Sequence, residues 1–314
     1  SASVPLDQTR MTESGKQAAL AALDHLRPSG RTNLWGGIEA ALHSFHEKCV
    51  DDRQRAVFVL TDGCPNVNPP EGILSNLRRH RKNVGNKFTL NTFGFGYCLL
   101  SDELDALAKE GGGIYAFIPD VGFVGTVFIN AMANVLTTFA QGVVVHLQLP
   151  PGVHLEGQNA PELSDDGRGN IVVDFASLHK QQTRNILIFL TTRCSPAHVQ
   201  VDVTCSSGFC GVDYTTQDKG DLGEVQRHAM RQRFVHFCGD IQFEKNPSYA
   251  IQALIDEFEG LLWPMSPPLV DLYRDVRGQV KDAVSREDWM EKWGRHYLPS
   301  LGRAHQMQQC LNFK

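Results

Sequence analysis

Two short loops carry the residue types that could do chemistry. The first, Gly30-Arg31-Thr32-Asn33-Leu34, lies between two predicted helices. The second, Leu60-Thr61-Asp62-Gly63-Cys64-Pro65-Asn66, directly follows the apolar run Ala56–Leu60. Asp62 offers a hard carboxylate and Thr32 a hydroxyl, the kind of oxygen donors that Mg²⁺ takes in near-octahedral geometry while keeping several waters. In an open α/β sheet, the crevice beyond the carboxyl ends of the strands is where ligands bind, and Asp62 falls there. Each residue also has an ordinary reading. An Asp in a turn hydrogen-bonds nearby backbone, and a Thr before a helix caps it.

Other chemistries find no carrier. The chain has no Gly-x-Ser-x-Gly elbow, no Gly-x-x-x-x-Gly-Lys-Ser/Thr phosphate loop and no His-Glu-x-x-His pair. Cys98 has no identifiable activating partner and reads as a buried small side chain. Gly111-Gly112-Gly113 ends a helix, and Asp51-Asp52 and Asp165-Asp166 read as turns. Arg78-Arg79-His80-Arg81-Lys82 reads as a solvated helix end, where cations favour the helix dipole. Arg227, His228, Arg231, Arg233 and His236 make a basic helix, read as a surface or interface face; its histidines are too far apart for a one-turn metal pair. Trp289 and Trp293, four apart, share a helix face and read as packing anchors. No catalytic residue is assigned, and the chain is read as not itself an enzyme.

The elements that must position the two loops follow from periodicity. Helices are expected over Glu13–Leu26 and Asn33–Lys48, a buried strand over Ala56–Leu60, and a helix around Ile73, Leu74 and Leu77. A strand at Phe88–Phe93, a short helix capped by Ser101, a strand at Ile114–Ile118 and a helix at Gly125–Ala140 complete an alternating strand–helix pattern. That alternation predicts α/β architecture with a mostly parallel sheet over residues 1–140. At Gly142 the pattern changes. Val143–Leu149, Ile171–Phe175, Asn185–Thr191 and Val199–Thr204 predict a small antiparallel β-domain over 142–216, a sandwich by its turn spacing. Residues 221–314 predict a helical region, with helices at Leu222–Cys238, Pro247–Leu262, Leu269–Arg286 and within Glu287–Leu311.

Residues 1–140 resemble the von Willebrand factor type A domain. The resemblance rests on Gly30, Thr32, Asn33 and Leu34, on Leu60 to Pro65 around Asp62, on Thr92-Phe93-Gly94-Phe95-Gly96 with Asp102-Glu103-Leu104, and on Gly112-Gly113-Ile114-Tyr115. It implies a metal-ion-dependent adhesion site that binds protein partners through Mg²⁺, with Thr32 and Asp62 as metal ligands. The family's Asp-x-Ser-x-Ser loop is absent from this sequence, and so is the central first strand that precedes it. Residues 1–5 read as an edge strand. Missing central pairing leaves backbone groups unsatisfied in a dry interior. The reading is therefore a partial domain, with the sheet completed by an upstream segment, by another chain or by residues elsewhere in this one. Mg²⁺ is expected only where the absent loop is supplied. Trp293-Gly294-Arg295-His296-Tyr297-Leu298-Pro299-Ser300-Leu301 resembles the region that follows type A domains in intein-like (Hint) and RING- or U-box-associated proteins. Together these imply a protein-binding or assembly module, or alternatively the substrate-recognition part of a larger enzyme such as a ubiquitin ligase.

Composition agrees with a folded, non-fibrous chain. Its 314 residues suggest two domains with a helical tail, and 42% are apolar. Thirty Lys and Arg against 35 Asp and Glu leave a net charge of −5, which argues against general nucleic-acid binding. No apolar run is long enough to span a membrane, and Ser1–Arg10 carries no signal-peptide pattern. The eight cysteines match no zinc spacing and read as buried thiols in the cytoplasm or another reducing compartment.

Overall fold

A computed structural model describes residues 2–27, 30–47, 54–84, 88–157, 160–192, 200–205, 208–210, 221–261 and 266–309. Helix α1 (Glu13–Asp24) is capped by Thr12, whose hydroxyl accepts from Gly15 N. Helix α2 (Leu34–Glu47) leads to strand β1 (Ala56–Thr61). There follow α3 (Ile73–Val84), β2 (Thr89–Phe95), α4 (Ser101–Glu110), β3 (Gly112–Ile118) and α5 (Val121–Thr137). The three strands form a parallel sheet in the order β1-β2-β3, as the strand–helix alternation predicts. Residues 2–12 form no strand, contrary to the expected edge strand at 1–5. That segment is instead held on α2 by Gln8, whose Nε2 donates to Ser44 O at 3.2 Å.

Helix α5 starts four residues earlier than expected, because Asp120 caps it through Gly122 N. It ends at Thr137, where the hydroxyls of Thr137 and Thr138 turn back onto Ala133 O and Asn134 O. Strand β4 (Thr138–Gln148) begins at once, and Gly142, with φ of 61°, is a bulge inside it. The antiparallel region adds β5 (Val153–Leu155), β6 (Leu163–Asp165), β7 (Asn170–His179), β8 (Leu190–Thr192), β9 (Gln200–Cys205) and β10 (Gly208–Cys210). Its sheets run β10-β9-β4-β7-β6 and β5-β8, around a core of Val143, Ile171, Val173 and Phe175. The apolar run Asn185–Thr191 becomes strand only at its end. At Asn185 the backbone is held by side chains: N donates to Gln308 Oε1, and O accepts from Arg231 and Gln308.

The helical region comprises α6 (Leu222–Asp240), α7 (Pro247–Glu259), α8 (Pro267–Asp275), α9 (Lys281–Ser285), α10 (Glu287–Trp289) and α11 (Arg295–Met307), with wide π-turns at Val276–Val280 and Met290–Gly294. It shares one core with the parallel sheet. Leu34, Leu77, Leu90, Leu107 and Tyr115 belong to the same buried cluster as Phe234, Phe258, Val276 and Leu298. Trp289 stays partly exposed, while Trp293 lies 5.5 Å from the Tyr297 ring.

Polar contacts fix the docking of α11. Ser101 lies in the first turn of α4, but its hydroxyl is spent elsewhere, 2.5 Å from Tyr115 OH and 2.7 Å from His296 Nδ1. The expected Ser101 cap is thus overturned: Leu100 precedes the helix and makes no side-chain cap. His296 Nε2 faces Tyr97 O at 3.2 Å, and a carbonyl only accepts, so Nε2 carries the hydrogen. Nδ1 of the neutral ring then accepts from Ser101, and Ser101 accepts from Tyr115. Burial lowers the His296 pKa and so holds the ring in this neutral form.

Candidate functional site

The structure brings the two sequence-predicted loops together. Asn66 is the clamp: its Oδ1 accepts from Thr32 N at 2.8 Å, and its own N donates to Thr32 O at 3.1 Å. Val67 N adds a second donor to the same carbonyl at 3.2 Å. Thr32 is not the helix cap. Asn33 takes that role, with Oδ1 accepting from Gly36 N at 2.9 Å, which leaves the Thr32 hydroxyl uncommitted to capping. A side chain at Gly36 would collide with the Asn33 amide, so the cap requires glycine there.

Asp62 is exposed one residue beyond β1, and among the described residues its carboxylate makes no hydrogen bond or ion pair. The neighbouring turn is closed by Thr61, whose hydroxyl donates to Gly63 O at 2.9 Å, so the turn does not need the Asp62 side chain. Asp62 stands on the rim of a cleft of about 280 Å³ lined by Leu60, Phe93, Phe95, Ile118, Val124 and Phe128. Phe93 and Phe128 stack at 4.8 Å within it, and Phe58 packs on Phe93 at 5.1 Å. Among the described residues no three His, Cys, Asp or Glu side chains converge as a metal-binding group. Thr32 and Asp62 fit a Mg²⁺ site only as two oxygen donors, short of a full octahedral shell.

The two edges of the parallel sheet are treated differently. On β3, Phe117 N donates to Ser300 Oγ at 3.1 Å, and Gly113 O accepts twice from Arg303, so side chains of α11 satisfy backbone groups turned away from β2. On β1, no described residue pairs beyond the side facing β2. Leu60 is 58% exposed on that strand. Two helices also leave apolar residues uncovered: α5 exposes Ile129 (71%) and Leu136 (75%) and buries only Val127 and Ala131, and α1 exposes Leu20 and Leu23 and buries only Gly15. An unpaired, apolar sheet edge is a template for another strand.

Other residues marked by the sequence resolve differently. Cys98 is exposed, not buried, because it sits in the loop after β2, where Cys64 Sγ approaches its carbonyl at 3.6 Å. Cys64 is exposed as well, Cys205 is intermediate and Cys238 is buried; Cys49, Cys194 and Cys310 lie outside the described residues. The Arg78–Lys82 run is tied down by carboxylates, Arg78 and Arg81 to Glu110 and Arg79 to Glu71. Sequence reasoning missed Asn66, Ser300 and Arg303. Asn66 stood at the end of the quoted motif, and Ser300 with Arg303 are polar residues three apart on the buried face of α11, beside Leu298, Ala304 and Met307.

Residues 6–117 match the family model of the von Willebrand factor type A domain, and residues 266–314 match the model described as VWA / Hh protein intein-like. No curated protein matches the chain. Among solved structures, a von Willebrand factor type A protein from Catenulispora acidiphila superposes with a TM-score of 0.67, covering 95% of this chain and 75% of its own, at 14% identity. The ArnB paralog VWA2 from Sulfolobus acidocaldarius covers 90% of this chain and 71% of its own at 13% identity, with a TM-score of 0.39. The chain has a partial type A fold. Among the described residues no helix is long and apolar enough to cross a membrane.

Proposed function

We propose that this chain is a protein-binding module of the type A class, and that its partner is a polypeptide segment which adds a strand to the open edge of β1 and covers the aromatic cleft beside Asp62. The observation that carries the reading is the asymmetry of the sheet: β3 is sealed by α11, whereas β1 ends in exposed Leu60 next to a cleft of phenylalanines. Exposed apolar patches of this kind mark interaction sites. The module acts by recognition and not by turnover.

Mg²⁺ enters this proposal only with the partner. Thr32 and Asp62 would hold two of its coordination positions, and the segment completing the sheet would bring the remaining protein oxygens. The exposed thiols of Cys64 and Cys98 suit a reducing compartment. The test is site-specific photo-crosslinking from position 60 in the protein within its native source, with the adduct sequenced. A crosslinked strand-forming segment supports the reading, and one bearing an Asp-x-Ser-x-Ser loop extends it to the metal, with Mg²⁺ then tightening the complex in an Asp62-dependent way. A protein that yields no adduct and whose β1 amides are fully protected from hydrogen exchange overturns it.

A further inference from the structure

Strands β1 and β2 end side by side, with Thr61 of one in register with Gly94 of the other. The strands are parallel, so the chain leaves both at the same end of the sheet and the residues that follow are neighbours. Cys64 lies shortly beyond Thr61, and Cys98 shortly beyond Gly94. Both cysteines are exposed, and Cys64 Sγ donates to Cys98 O at 3.6 Å.

Each loop is anchored on both sides of its cysteine. Before Cys64, the Thr61 hydroxyl donates to Gly63 O at 2.9 Å; after it, Asn66 Oδ1 accepts from Thr32 N at 2.8 Å. Before Cys98, Tyr97 O accepts from His296 Nε2 at 3.2 Å. After it, Leu99 is buried, and it packs so closely on Gly94 that a side chain at that glycine would strike it. These anchors hold two exposed thiols beside each other. A disulfide needs Cα atoms about 4.4–6.8 Å apart. From a sulfur already on the other cysteine's own carbonyl, rotation of the two side chains with a small shift of either loop reaches that span. Two other described cysteines are poorer candidates for oxidation. Cys238 is buried against Gly302, and burial pushes its thiol pKa up. Cys205 is half-buried beside the core of the antiparallel region. Enclosed, protonated thiols react slowly, because the thiolate is the nucleophile.

We propose that Cys64 and Cys98 are a redox pair that closes to a disulfide when the chain meets hydrogen peroxide and reopens with a dithiol reductant. The thiolate of one cysteine attacks a peroxide oxygen. An S–O bond forms, the O–O bond breaks, and the hydroxide released takes up the thiol's proton and leaves as water. The second sulfur then attacks the first. The S–S bond forms, the S–O bond breaks, and the departing hydroxide leaves as water with the second thiol's proton. In sum, two thiols lose two electrons and two protons, and one peroxide becomes two waters. The link ties the loop carrying Asp62 to the loop that His296 holds on α11. Its formation does not depend on what binds the β1 edge.

The test uses the full chain, reduced, as an equal mixture of ¹⁵N-labelled and unlabelled protein. It is treated with one equivalent of hydrogen peroxide, blocked with N-ethylmaleimide and digested with trypsin without reduction. Trypsin releases residues 56–78 with Cys64 as their sole cysteine and residues 88–109 with Cys98 as theirs. These two peptides are expected to appear joined, both of the same isotope, and to separate on adding dithiothreitol. Free thiols in the denatured chain are expected to fall by two from eight. Cys64→Ser and Cys98→Ser, both at exposed positions, should each abolish the joined peptide and leave the remaining cysteine as a sulfenic acid that dimedone traps. Peptides recovered only unlinked, joined only across isotopes, or joined only to other cysteines overturn the proposal. The wild-type digest decides the matter even where a serine variant does not fold.

Discussion

Arg303 sets both Nε and Nη2 on the carbonyl oxygen of Gly113, at 2.9 and 2.7 Å, across 190 residues of sequence. Its third nitrogen, Nη1, donates to Gln306 Oε1 at 2.8 Å, so a fully buried guanidinium has a partner on each nitrogen. Burial lowers the pKa of this group, and Asp105, Glu162 and Asp174 act in the opposite direction. Together with Ser300 on Phe117 N, this makes α11 a substitute for an edge strand: side chains supply what a backbone ladder would.

Arg303→Met removes both bonds to Gly113 and leaves the carbonyl buried without an acceptor's partner. The expected loss is about 1–3 kcal/mol, read as a lower urea midpoint. Arg303→Lys keeps the charge but loses the fork and is expected to fall between the two. A midpoint unchanged in Arg303→Met would show that the β3 edge does not rely on α11.

Asn66 should behave as the clamp of the two loops. Asn66→Ala loses the bond to Thr32 N and is expected to cost about 1 kcal/mol. Asn66→Asp retains an acceptor oxygen at the same place and is expected to cost less. Hydrogen exchange at the Thr32 amide separates the two, rising in Asn66→Ala and staying low in Asn66→Asp.

Leu60→Lys tests whether the β1 edge is an interaction surface and not a hidden part of the core. Because Leu60 is mostly exposed, stability should change by no more than about 0.5 kcal/mol. Binding of the strand-adding partner segment should fall, read as less of it co-purifying, since an edge lysine opposes strand addition. A drop in stability of several kcal/mol would mean that Leu60 is covered in the isolated chain.

The legible part of this molecule was local. Asp62 was findable because Ala56–Leu60 is an unbroken apolar run and Thr-Asp-Gly follows it, so strand, exit and carboxylate lie within seven residues. Thr32 was findable as one motif, but its partner Asn66 was not, because a contact across 34 residues leaves no periodic trace. The Ser101 hydroxyl read as a cap because capping is local, whereas its actual partners, Tyr115 and His296, come from a strand and from a helix 195 residues away. Cys98 read as buried because cysteine usually is, and only the course of the loop after β2 exposes it. The basic spacing on α6 likewise fixed a face but not the direction in which that face points.

Histidine burial makes the stability of the fold depend on pH below neutrality. His305 is enclosed against the Phe234 ring at 5.1 Å, and burial lowers its pKa from 6.5 to about 4, with Arg231 adding to the shift and Asp275 opposing it. His228 is likewise lowered to about 4, first by burial and then by Arg231 and Arg227, and His179 and His296 move the same way. A histidine held neutral in the folded chain takes up a proton on unfolding once the pH is below 6.5. Stability is therefore full above pH 6.5 and declines as the pH falls toward 4, where the folded form protonates too. His305 alone accounts for a loss of up to about 3 kcal/mol over that window. His305→Gln, which does not titrate, should flatten this part of the curve while lowering the plateau near pH 7. Urea midpoints collected from pH 7.5 to 4 in both proteins measure the difference in slope. Parallel curves would mean that His305 takes up its proton at the same pH folded and unfolded, and that its packing against Phe234 does not exclude water.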